Sequence, residues 1–214
     1  MCELDRPFSR RAFVSGSLGA TALLASGAGA QDLIAPTPEQ ALGPFYPTGY
    51  GGEDDADLTM LKGHAQRALG QVVEISGRVL DRYGQPMSGA KIELWQANAA
   101  GRYAHVNDVS TGALDPNFQG VARLTTGRSG EWRIRTIKPR FYDTPLGLRT
   151  PHIHFDVQGP AHRLVTQMYF DDEPEQNARD FVYSELGAQA AMTVASTTAS
   201  ETYRWDIVLM DAAS

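Results

Sequence analysis

Between residues 72 and 209, apolar side chains recur at every second position in one short stretch after another. VVEISGRVLD (72–81), AKIELWQA (90–97), HIHFDVQ (152–158), RLVTQMYF (163–170) and TYRWDIVL (202–209) carry the pattern. A period of two belongs to half-buried strands, because successive side chains leave a pleated backbone on opposite faces. Tyr83-Gly84-Gln85-Pro86 predicts a turn between the first two strands, the second returning beside the first. GVARLTTGRSGEWRIRTI (120–137) predicts a hairpin closing at residues 127–130, and only the stretch 174–192 suggests a short helix. With 21 Gly and 12 Pro to make turns and no helices alternating with the strands, the fold class is all-β. The expected architecture is an antiparallel β-sandwich core with an extended N-terminal arm and a loop-rich active-site face.

Three segments follow from the composition. Residues 31–70 are rich in Pro and Gly, lack sustained periodicity and predict an extended arm with one short helical turn. Residues 71–214 hold the sandwich. Ahead of both, SRRAFVSGSLGATALLASGAGAQ places Arg10 and Arg11 before a small-residue apolar run ending Ala28-Gly29-Ala30. That is the form of a twin-arginine signal peptide over residues 1–30, which predicts export to a periplasmic or extracellular location. The run is too short and too rich in small residues for a good transmembrane helix, so no membrane span is expected in the mature form.

Cys2, the single cysteine, falls inside the signal segment. The mature chain would then lack a disulfide framework, thiolate-bound zinc and an iron–sulfur cluster. A formal net charge of −6, a pI near 5.3 and no basic stripe argue against nucleic acid as a partner.

His152 and His154 are two apart in RTPHIHFDVQG (149–159) and therefore share one face of a strand, about 6–7 Å apart at the backbone. A bare His-x-His pair more often marks two packed or exposed histidines, and two donors make no firm metal site. Carboxylates lie scattered without a ligand-like spacing. Two tyrosines sit at expected strand exits, Tyr103 in WQANAAGRYAH and Tyr142 in IKPRFYDTP. Either alone reads as a lid on the core with a wet hydroxyl. As phenolates, the two would be hard anionic oxygen donors, and two phenolates with two imidazoles suit Fe(III) better than Fe(II) or Mg; zinc or copper remain open for a His-rich site.

The stretch ISGRVLDRYGQPMSGAKIELWQANAAGRY (75–103) resembles the signature of intradiol ring-cleavage dioxygenases. Within that family, LDPNFQGVARLTT (114–126), RTIKPRFY (135–142), RTPHIHF (149–155), LVTQMYF (164–170) and YRWDIVL (203–209) are similar to the β chain of protocatechuate 3,4-dioxygenase. The likeness runs collinearly over nearly all of residues 71–210. It implies a non-haem Fe(III) bound by Tyr103, Tyr142, His152 and His154, and cleavage of a catechol by O2 between its two hydroxylated carbons to a cis,cis-muconate-type diacid. It further implies that Tyr142 gives up the metal and takes a proton as substrate binds. By the same resemblance Arg149 is the active-site arginine that stabilises negative charge, and Gln167 is the glutamine that orients a ligand or the arginine. Trp95 is expected to pack behind the site, and His105 and His162 to be ordinary loop residues. Similarity to one half of a two-chain enzyme implies a homo-oligomer or pairing with an α-like subunit.

Two departures stand out. The segment between Tyr142 and Arg149 is shorter than in the protocatechuate enzymes and has Asp143-Thr144 in place of their Pro-Trp; the N-terminal arm is also shorter. As a rival class, GRVLDRYGQPMSGAKIEL (77–94) also resembles transthyretin-like modules, which would make the chain an exported β-sandwich binding module without iron.

Overall fold

The computed structural model describes residue 1 and residues 33–210. The twin-arginine motif, the expected cleavage region and Cys2 lie outside the described residues.

The described residues are dominated by strands. In chain order these are β1 (Val72–Leu80), β2 (Lys91–Gln96), β3 (Val121–Thr125), β4 (Glu131–Ile137), β5 (Tyr142–Thr144), β6 (Gly147–Arg149), β7 (His152–Gln158) and β8 (Arg163–Phe170). Then come helices α1 (Pro174–Arg179) and α2 (Phe181–Glu185), a 3-10 turn (Gly187–Thr193), and strands β9 (Val194–Ala199), β10 (Thr202–Arg204) and β11 (Ile207–Val208). The large sheet runs β11-β1-β10-β9-β8-β7-β2-β3, with β4 also on β1, while β5 and β6 form a separate hairpin. The described chain is mostly β, with two short helices, and the sheet is mixed rather than the antiparallel one expected: β1 pairs in parallel with β10 and β11, and β8 with β9.

Strand pairing departs from the sequence pattern in specific places. β3 pairs with β2 and β4 with β1, so the turn at 127–130 is not a hairpin; it carries the chain between distant parts of the sheet. For the same reason β2 does not return beside β1. Alternation fixes which face of a strand is buried but not its neighbour, and Ile75, Ile92, Ala122 and Ile134 from these four strands all enter one core. The stretch 202–209 splits into β10 and β11. At the break Asp206 accepts from the Arg78 backbone N–H (2.9 Å) and guanidinium (2.8 Å), and the Trp205 indole donates to Met192 O at 2.9 Å.

The core centres on three rings: Trp132–Phe155 centroids are 5.3 Å apart, Phe155–Trp205 5.1 Å and Trp132–Trp205 6.5 Å. Gly77 is required there, because a Cβ on it would lie 1.6 Å from the Trp205 carbonyl oxygen. Residues 33–70 form no helix, only an isolated bridge from Asp57 to Arg135. They are nonetheless fastened to the sheet through Thr37 N→Val208 O (3.0 Å), Gln40 N→Val165 O (2.8 Å) and Leu58 N→Arg135 O (2.8 Å), with Leu58 fully buried in the core.

The segment leading from β4 to Tyr142 is pinned at Lys138, whose ammonium bridges Asp172 and Glu173 at 2.8 Å each and lies 5.2 Å from the Phe170 ring centroid. Asp172 also accepts from the Tyr203 hydroxyl at 2.9 Å. Burial works to raise the Asp172 pKa, but Lys138 and Tyr203 outweigh it and hold the carboxyl below its ordinary value. A carboxylate depressed on folding stabilises above its unfolded pKa of about 3.9 and loses that contribution as pH falls through the folded value. Asp172→Asn should therefore lower the urea midpoint at pH 7, and the gap from wild type should close as both are measured towards pH 2–3. A gap independent of pH would remove the carboxylate from this role.

Candidate metal centre

Strand β7 is buried along both faces, with only Gln158 exposed. Ile153, Phe155 and Val157 enter the main core on one side; His152 and His154, each 2% exposed, face the other. Over them closes a second apolar cluster of Trp95, Ala97, Tyr103 and Val121, extended by Leu42, Phe45 and Tyr142. Trp95 lies directly opposite His154 on β2 and stacks on it, with centroids 4.9 Å apart and planes at 7°. It packs behind the imidazole, as expected.

The two tyrosines arrive from separate strand exits. Tyr103 follows β2 in a loop held by Asp108, which accepts from Tyr103 N at 2.7 Å and Ser110 N at 2.8 Å. Tyr142 opens β5. The Tyr103 hydroxyl is 3.3 Å from His152 Nε2. Ring centroids are 5.8 Å apart for Tyr103–Tyr142, 5.7 Å for Tyr142–His152 and 5.0 Å for His152–His154. All four expected donors thus meet in one buried place.

Their chemistry fits a hard cation. His152 Nδ1 donates to Thr150 O at 2.6 Å, which leaves the Nε2 lone pair turned towards Tyr103. The Tyr103 hydroxyl and His152 Nε2, 3.3 Å apart, are close enough to hold one cation between them. His154 Nδ1 is buried with no hydrogen-bond partner, a costly state for a polar atom. Burial, then Arg149, pushes the His154 pKa down to about 3, and burial, Arg149 and His154 push His152 well below its ordinary value. Burial likewise raises both phenols, Tyr103 most strongly. The imidazoles are therefore neutral and available, and a multivalent cation is the charge that would offset ionising the phenols. Among the described residues no group of three or more His, Cys, Asp or Glu side chains is placed to hold a metal ion; the oxygen donors here are phenols.

Arg149 reaches the centre from β6. The β5–β6 hairpin pairs Tyr142 with Arg149 directly, so the short segment between them sets the two side by side. Arg149 Nε donates to Asp180 Oδ2 at 3.0 Å, and Nη2 donates to Gln167 Oε1. Gln167 sits on β8 opposite His154 and is 2% exposed. Arg149 and Gln167 thus adjoin the four donors, and Gln167 engages the arginine. His105 lies outside this set, 6.0 Å from the Phe45 ring, and His162 accepts a backbone N–H from Met210 at 3.3 Å.

Sequence reasoning missed Asp180. Wholly buried, it accepts from Arg149 Nε, from Thr150 N at 2.8 Å, and from Val182 N (2.8 Å) and Tyr183 N (3.1 Å) as the N-cap of α2. An Asp before a short amphipathic run signals an N-cap; nothing local signals that its other oxygen anchors an arginine. Also missed was Tyr169, opposite His152, whose hydroxyl donates to Gln40 of the arm at 2.8 Å. Gly43 closes the arm over the site at φ +77°, where a Cβ would press within 3.2 Å of His154 Cε1.

A family model described as a dioxygenase matches residues 42–211. The protocatechuate 3,4-dioxygenase beta chain of Burkholderia cepacia is 44% identical over 138 residues, covering 60% of this chain. The chain belongs to the intradiol dioxygenase family. The aligned part spans 59% of that beta chain's own length. The protocatechuate 3,4-dioxygenase alpha chain of Burkholderia cepacia is 31% identical over 185 residues, covering 80% of this chain and 90% of that one. Among solved structures, the dioxygenase domain of a dioxygenase–carbohydrate-binding protein fusion from Streptomyces sp. SirexAA-E superposes with a TM-score of 0.63 at 27% identity. It covers 83% of this chain and 100% of that one. These likenesses give the transthyretin-like alternative no support. Within this intradiol dioxygenase family member, Arg149 and Asp180 form an ion pair buried at the centre. Removing one partner of such a pair leaves a buried charge uncompensated. Asp180→Asn should cost about 3 kcal/mol in urea unfolding; a loss below about 1 kcal/mol would show that Asp180 does not carry the arginine.

Proposed function

We propose that this chain is a non-haem Fe(III) intradiol dioxygenase. It would open a catechol-type aromatic between its hydroxylated carbons, adding both atoms of O2 to give a cis,cis-muconate-type diacid. The observation that carries the reading is the meeting of Tyr103, Tyr142, His152 and His154 in one buried place, in a chain of this family. These four residues would hold the iron, which supplies Lewis acidity that makes a bound catecholate electron-rich. Tyr142 lines the open cavity whereas Tyr103 is 3% exposed, so Tyr142 Oη is the atom that takes up a proton from the incoming catechol. Arg149, held by Asp180, presents its guanidinium to the negative charge developing on the substrate, and Gln167 fixes its orientation. The apolar cluster of Phe45, Trp95 and Tyr103 keeps water from the reacting face.

The strands about the Trp132–Phe155–Trp205 cluster are read as the two layers of a sandwich. The beta- and alpha-chain names of the relatives support pairing with an α-like subunit or self-association. Arg10-Arg11 and the small-residue run after them support export by the twin-arginine route; fractionation of cells expressing the full chain tests it.

Iron-loaded protein should be burgundy, with a broad visible tyrosinate-to-Fe(III) band, and should consume one O2 per catechol with a diacid as the product by mass. Tyr142→Phe should shift that band and slow turnover about 100-fold. A colourless but iron-replete preparation would defeat the ligand assignment.

A further inference from the structure

The centre opens through a cavity of about 470 Å³, within the range of small-molecule sites. Tyr142 and Arg149 form its inner end, and its walls are Pro44, Phe45, Val109, Pro145, Leu146 and Phe181. Val109 and Leu146 are 91% and 78% exposed, so they stand at the outer rim. A ring held by its two hydroxyls at the inner end would project its substituents between these apolar side chains.

Charge at the same walls is already paired. Asp108 accepts from Tyr103 N and Ser110 N, Asp143 follows Tyr142 on β5 and so has its side chain on the opposite face of the hairpin, and Arg149 is the one cation among the lining residues. That cation is already engaged: Nε faces Asp180, Nη2 faces Gln167, and the guanidinium lies 5.7 Å from the Phe181 ring centroid. A carboxylate on the substrate ring would thus find no free cation among the lining residues, only an arginine already paired with Asp180. Desolvating it there without a counter-charge is costly, whereas an alkyl group or halogen gains apolar contact.

We infer that this cavity selects catechols carrying neutral, apolar ring substituents over catechols carrying a carboxylate. The inference rests on the proposed ring-cleavage reading and narrows its substrate class. It runs against the substrate named for the beta-chain relative, and the short β5–β6 hairpin is its structural source: the turn supplies Pro145 and Leu146 to the rim.

The iron-loaded protein should be assayed by oxygen uptake with catechol, 4-methylcatechol and protocatechuate, and anaerobic binding of each followed by the shift of the visible band. The expected result is a kcat/KM for 4-methylcatechol at least tenfold above that for protocatechuate, with tighter anaerobic binding in the same order. Leu146→Lys, an exposed change that adds a free cation to the rim, should narrow the ratio about fivefold. Protocatechuate turned over as well as or better than 4-methylcatechol would overturn the inference and leave the ring-cleavage reading standing. An unchanged ratio in Leu146→Lys would remove the missing counter-charge as its cause. No oxygen uptake with any of the three, in protein shown to contain iron, would defeat the ring-cleavage reading and the inference with it.

Discussion

Burial of β7 on both faces is the constraint from which the rest of the arrangement follows. A strand with one wet face could carry two histidines at no cost. Here Ile153, Phe155 and Val157 are sunk in the ring cluster of Trp132 and Trp205, and that packing fixes the register of the whole strand. A slip by one residue would drive His152 and His154 into the hydrocarbon core. The histidines are thus positioned by their apolar neighbours in sequence, and they are kept neutral by the burial that positions them.

Polar groups placed in such a setting need partners, and the structure provides them in a chain. Thr150 takes the His152 Nδ1 proton on its carbonyl, gives its own N–H to Asp180, and sets its hydroxyl 2.8 Å from Asn177 Oδ1. Asp180 in turn holds Arg149 and starts α2. Two short helices with few residues of their own therefore determine both the tautomer of one imidazole and the aim of the guanidinium. The arm contributes from the opposite side, where Gln40 accepts from Tyr169 and Gly43 lies against His154. Residues 33–70 have no regular structure to stabilise them, yet their contacts are with the centre and the core.

Which parts of this were legible in the sequence follows from the range of each signal. Alternation along VVEISGRVL or RLVTQMYF is local, so the strands could be read directly, as could the shared face of His152 and His154. Pairing is not local. β3 and β4 look like a hairpin because a Gly-rich turn joins them, yet each finds its partner elsewhere, and parallel pairing such as β1 with β10 leaves no mark in either segment. β9 went unread because VASTTA alternates weakly and is mostly exposed. Tyr103 and Tyr142 were reachable only through collinear resemblance, since a tyrosine at a strand exit carries no signal of its own. Asp180 was out of reach: its local sequence announces a helix cap, and its partner lies 31 residues away.

The same chain of partners governs what Arg149 can do. An unpaired guanidinium buried to 7% exposure would be too costly to keep charged without a counter-ion. Asp180 removes that cost, and in doing so cancels most of the long-range field the arginine would otherwise project. What survives is short-range and directional: an N–H fork fixed by Asp180 on one edge and Gln167 on another, beside Tyr142 across two hydrogen-bonded strands. Such a group stabilises charge that develops within hydrogen-bond reach of it and has little hold on charge several ångströms farther out. The arginine thus serves the reacting end of the cavity, and the outer walls, with Val109 and Leu146, act on whatever the ring carries.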